Sequence, residues 1–142
     1  MEVRYSGHPE DVKRYTTEEL RQEFLIQELF QVNVCKMAYS HVDRMITGGV
    51  IPVAPQKLEA GKGLGVDYFL ERRELGVINI GGAGKVTVDG TEYALQFTDG
   101  LYVGMGAKDV VFTSDDAQNP AKFYFTSSPA HKTYPTVKIE RK

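Results

Sequence analysis

The chain has 142 residues, with 17 Lys+Arg against 19 Asp+Glu, a formal net charge of -2, 42% hydrophobic residues and 25% charged ones. That is one domain's length with room for a packed core, and the composition excludes a disordered tail. The balanced charge leaves no basic surplus for nucleic acid or anionic lipid, and no run approaches the roughly 18 apolar residues of a membrane span.

The charged start Met1-Glu2-Val3-Arg4 lacks the apolar run of a leader, and the single cysteine, Cys35, permits no intrachain disulfide. Both fit a cytoplasmic protein. Residues 1–15 read as an irregular arm with little to bury. Thr16 and Glu19 then have capping-box spacing, which predicts one or two helical turns, with Leu20 and Phe24 on one side to cover an end of a sheet.

From Phe24 onward the pattern is short apolar stretches punctuated by glycine, which favours strands. Strands are expected at 34–39, 44–46 and 50–53, with Gly48-Gly49 as a break between the last two. The loop Gly61-Lys62-Gly63-Leu64-Gly65 precedes further strands at 66–70 and 75–80. In Lys85-Val86-Thr87-Val88-Asp89-Gly90-Thr91-Glu92-Tyr93, alternation plus Asp89-Gly90 predicts a tight hairpin. Strands at 101–103, 110–113 and 121–125 complete around ten, enough for an all-β sandwich or barrel. Periodicity alone does not choose between them. Cys35 reads as a small buried hydrophobe. Gly81-Gly82-Ala83-Gly84 lacks a following Lys-Ser/Thr and reads as a turn between strands, not a phosphate loop.

The segments Gly81-Gly82-Ala83-Gly84, Val86-Thr87-Val88-Asp89-Gly90 and Asp99-Gly100-Leu101-Tyr102-Val103 resemble the motifs of cupins. More specifically, Tyr68-Phe69-Leu70-Glu71-Arg72-Arg73-Glu74-Leu75-Gly76-Val77, Tyr39-Ser40-His41-Val42-Asp43-Arg44 and Pro129-Ala130-His131-Lys132-Thr133-Tyr134-Pro135 are similar to the 5-keto-4-deoxyuronate isomerase family. The likeness runs through nearly the whole chain. It implies a single cupin-type jelly-roll barrel with a short N-terminal helix: an arm at 1–15, the barrel at 16–127, and a tail at 128–142 leading toward a second barrel. The family's reaction interconverts 5-dehydro-4-deoxy-D-glucuronate and 3-deoxy-D-glycero-2,5-hexodiulosonate in pectin catabolism. The resemblance implies that the full-length enzyme uses zinc and assembles as a homohexamer.

The resemblance also implies that zinc belongs to the second barrel, where His-x-His precedes Glu-Arg-Arg, a Glu follows and a later His completes the set. Here those positions fall on Tyr68, Leu70, Glu74 or Leu75, and Asp109. The chain's three histidines are His8, His41 and His131, with no His-x-His pair. No metal site and no catalytic residue are therefore expected in these residues. Candidate substrate-binding residues are His41, Arg44, Arg72 and Arg73, since guanidinium forks suit a carboxylate. The bland alternatives are ion pairs on a strand or across a subunit contact for Glu71, Arg72 and Arg73, a hydrogen-bonded structural role for His41, and an inter-barrel seam for His131. The expected partners are a uronate-derived sugar, the second barrel and further copies of the chain. The rival reading is a stand-alone, non-catalytic cupin acting as a sugar-binding or oligomerisation module.

Overall fold

In the computed structural model, which describes residues 1–142, eleven strands and two short helices follow the chain. β1 (Glu2–Arg4), α1 (Pro9–Val12) and α2 (Thr17–Phe24) come first. They are followed by β2 (Lys36–Ser40), β3 (Ile46–Val50), β4 (Gln56–Lys57) and β5 (Arg73–Asn79). The remaining strands are β6 (Gly84–Val88), β7 (Thr91–Leu95), β8 (Gly100–Val103), β9 (Val110–Ser114), β10 (Phe123–Pro129) and β11 (Val137–Ile139). No helix is long and apolar enough to cross a membrane.

The strands form a seven-stranded sheet, β1-β2-β3-β10-β5-β8-β11, and a four-stranded sheet, β4-β9-β6-β7. Every pairing is antiparallel except β1 with β2. Alternation sorts side chains between faces. In β5, Arg73, Leu75, Val77 and Asn79 are buried, while Glu74, Gly76 and Ile78 point the other way. Between the sheets, Phe112 lies 5.3 Å from Phe123 and 5.6 Å from Phe125, with Ile46, Leu70, Leu75, Val86, Leu95 and Leu101 packed around them. This is the expected all-β fold of two packed, mostly antiparallel sheets, with one correction. No ladder of hydrogen bonds joins the two sheets, so the barrel stays open along a seam.

Local signals explain several elements. Thr16 Oγ1 accepts the Glu19 N–H at 3.2 Å, the cap the spacing predicted, and donates to the Glu19 carboxylate at 3.1 Å, which takes the hydroxyl in place of the Thr16 N–H. Asp89 (φ 46) and Gly90 (φ 85) make the β6–β7 turn. The Asp89 carboxylate also accepts the Lys108 and Asp109 N–H groups at 3.0 and 2.8 Å, tying that turn to β9.

Four expectations fail. Residues 1–15 are not an irregular arm, since they hold β1, paired with β2, and α1. Leu20 and Phe24 stay 38% and 63% exposed, so α2 does not cap a sheet. Gly48-Gly49 lies inside β3 and does not divide two strands, because the Phe125 ring and the Phe30 and Leu29 side chains occupy the space their Cβ atoms would need. Residues 66–70 form turns, and Phe69 and Leu70 enter the core without pairing in a sheet. The Gly81-Gly82-Ala83-Gly84 segment packs against Asn119, Lys122 and Thr113 as a turn between β5 and β6. Asn79 anchors it. Its amide donates to the Gly82 and Leu95 carbonyls, at 2.8 and 2.9 Å, and its oxygen accepts from the Gly81 and Lys122 N–H groups.

Candidate functional site

The parallel pairing of β1 with β2 sets Val3 opposite Tyr39, and the His41 N–H continues the ladder to the Arg4 carbonyl at 2.8 Å. Residues at matching positions on parallel strands share a face. Tyr5 and His41 therefore stack, with ring centroids 4.4 Å apart and planes 8° from parallel. Tyr39 meets His41 edge-on at 5.3 Å. These rings and Val3 line a cavity of about 360 Å³ at the open seam, closed on its far side by Lys62 and Leu64.

Behind Tyr39 sits Arg73, 7% exposed, with its guanidinium carbon 6.0 Å from the Tyr39 ring centroid. Arg73 Nε donates to Ser127 Oγ at 3.0 Å, and Nη2 donates to the Ser127 carbonyl at 2.9 Å and to the Arg44 carbonyl. Ser127 Oγ in turn donates a hydrogen bond to the Glu74 carbonyl at 2.7 Å. None of Arg73's partners is a carboxylate, and Glu71 and Arg72 enter no ion pair within the chain. Burial pulls the Arg73 pKa below its ordinary value, Tyr39 opposes this, and Arg44 adds repulsion. The guanidinium stays charged because its ordinary pKa is so high.

The four candidates thus separate. His41, Arg73 and the Arg44 carbonyl converge around Tyr39, with Arg44 itself in a left-handed turn at φ 54. Arg72 is exposed outside β5, and its carbonyl accepts the Ala130 N–H at 3.0 Å. His131 is exposed in the tail. Sequence reading missed Tyr5 and Lys62. Tyr5 follows Val3 at a two-residue step, a detectable strand signal, but its partner strand lies over thirty residues away and no local pattern announces it. Lys62 was visible only as part of a glycine-rich loop.

The positions aligned with the zinc ligands do not form a ligand set. Leu70 is in the core and has no lone pair. Glu74 faces away from the barrel interior and accepts the Tyr102 hydroxyl at 2.7 Å; burial first, then this bond, pushes the Tyr102 pKa up to about 12. Asp109 pairs with Lys57 at 2.7 Å on the other sheet. A phenol, a hydrocarbon and two separated carboxylates do not suit zinc.

The model of the KduI/IolB family matches residues 24–142. The chain belongs to the KduI/IolB family. Among curated relatives of this KduI/IolB member, 4-deoxy-L-threo-5-hexosulose-uronate ketol-isomerase of Lachnoclostridium phytofermentans is 59% identical over 141 residues, covering 99% of this chain and 51% of the relative. Proteins of the same name from Lachnospira eligens and Escherichia coli strain SE11 are 57% and 55% identical, covering 99% and 98% of this chain and 50% and 51% of theirs. The chain therefore spans about half the length of the curated relatives it matches. Among solved structures, the Cupin_2 domain of an XRE family transcriptional regulator from Enterobacter cloacae is similar at 15% identity and TM-score 0.49, covering 69% of this chain and 97% of that one. A cupin protein from Bacteroides fragilis is similar at 20% identity and TM-score 0.42, covering 64% and 72%.

Proposed function

We propose that this chain is the first, metal-free barrel of a ketol-isomerase that interconverts 5-dehydro-4-deoxy-D-glucuronate and 3-deoxy-D-glycero-2,5-hexodiulosonate in pectin breakdown. The observation that carries this reading is identity of 55–59% through 98–99% of the chain to proteins named for that class of reaction. A ketol isomerisation needs a base to move a proton, an electrophile to hold the enediolate oxygens and a cation for the substrate's carboxylate. Tyr68, Leu70, Glu74 and Asp109 do not fit zinc, so the reading assigns the metal and the proton transfer to the second barrel.

Two roles remain for this half. It packs against the catalytic barrel, and it supplies positive charge near the seam. For the first, β5 presents Ile78 and β11 presents Val137 and Ile139, at 47%, 51% and 60% exposure, an apolar outer face that the relatives' additional length would cover. For the second, Arg73 is a charge without a carboxylate, held by Ser127 and Arg44. A cytoplasmic homohexamer belongs to the same reading.

The test sets the 142-residue chain beside a two-barrel relative in an isomerase assay with elemental analysis. Turnover and zinc are expected only with two barrels. Turnover by the 142-residue chain, or equal zinc per barrel, overturns the assignment.

A further inference from the structure

We propose that the cavity at the open seam, between β1–β2 and the loop after β4, binds a monosaccharide-sized sugar that carries a carboxylate. This deepens the reading above, on which the choice of uronates as probes rests, and it locates a ligand in this barrel as well as in the catalytic one.

Three features carry it. The first is the ring platform: Tyr5 and His41 stack at 4.4 Å, Tyr39 closes the corner, and Tyr5 stays 74% exposed with a free face. Such rings take the C–H face of a sugar, while the Tyr hydroxyls and the imidazole serve its hydroxyl groups.

The second is charge. Among the ten lining residues Lys62 is the one charged side chain; it enters no ion pair, and no carboxylate lines the wall. Arg73 lies behind Tyr39, again without an acid. A positive cavity in a chain of net charge -2 selects an anion.

The third is access and size. Gly61 (φ 69) and Gly65 (φ 65) bend the loop, and nothing lies within 4 Å of where a Cβ on Gly61, Gly63 or Gly65 would stand. The backbone thus stands clear for an incoming molecule. At about 360 Å³ the cavity is at the small end of ligand sites and suits one sugar ring. Inorganic phosphate would satisfy Lys62 but leave the rings unused, so the carboxylated sugar uses more of what is present.

The decisive experiment is a titration of the ¹⁵N-labelled 142-residue chain with D-glucuronate, D-galacturonate, D-glucose, inorganic phosphate and AMP, following amide shifts. Saturable shifts confined to residues 3–5, 39–41 and 61–65 are expected with the uronates and not with glucose or phosphate. Lys62→Ala should weaken uronate binding about tenfold, the loss of one charge-assisted contact, and Lys62→Glu should abolish it. Tyr5→Ala should weaken it comparably, with Lys62→Ala as the variant that leaves β1 untouched. The proposal is overturned by absent or scattered shifts, by unaltered binding in Lys62→Ala, or by phosphate, AMP or glucose binding as tightly as the uronates. Uronate binding here without turnover by the two-barrel protein would sink the isomerase reading and spare this site. Turnover without binding here would do the reverse.

Discussion

Arg73 shows how little of a residue's environment its neighbours in sequence disclose. As part of Glu71-Arg72-Arg73-Glu74 it reads as one charge among four. The fold turns it inward at the start of β5, where neutral oxygens of Ser127 and Arg44 replace the expected acids. Three directional bonds from a planar fork are geometry that lysine does not reproduce. Cys35 packs against the core but is only partly buried, short of the full burial its apolar setting predicted. Burial, followed by repulsion from Glu59, pushes its thiol from 9.0 up to about 11. In the folded chain the thiol stays protonated at pH 8, so iodoacetamide should alkylate it more than about tenfold more slowly than in urea. A thiol whose folded pKa is raised binds its proton more tightly in the native state. Above the free-thiol value stability therefore falls with rising pH, as the unfolded chain ionises first. Urea denaturation between pH 8 and 10 should show that decline, and Cys35→Ala should flatten it.

At the level of elements, the signals that were legible were local ones. The Thr16 cap and the Asp89-Gly90 hairpin each close within a few residues, so residue types alone determine them. Gly48 was illegible for the opposite reason. Its role depends on Phe125, seventy-seven residues later, whose ring fills the place of a side chain across the β3–β10 ladder. Gly48→Ala should destabilise the protein by about 1–3 kcal/mol through overpacking. Gly63→Ala, in open space, should leave the urea midpoint unchanged. Residues 66–70 teach the converse lesson. Alternation there records burial of Phe69 and Leu70, and burial does not require a ladder partner.

On the scale of the whole molecule, the all-β class was readable because many short strands in one domain leave few architectures. The seam was not, since no local pattern tells which strands leave the two sheets unjoined, and the β1 wall beside it is set by pairing across more than thirty residues. The candidate site followed the same division: His41 and Arg73 were named in advance, and the Tyr5 and Lys62 that complete the cavity were not. The seven-stranded sheet draws its two outermost strands, β1 and β11, from opposite ends of the polypeptide, while β3, β10 and β5 occupy its centre. Deuterium uptake should therefore proceed from the margins inward, with amides of β1 and β11 exchanging well before those of β10. The wall carrying Tyr5 is then the first to fray, and any molecule lodged against it should slow solvent exchange there more than anywhere else.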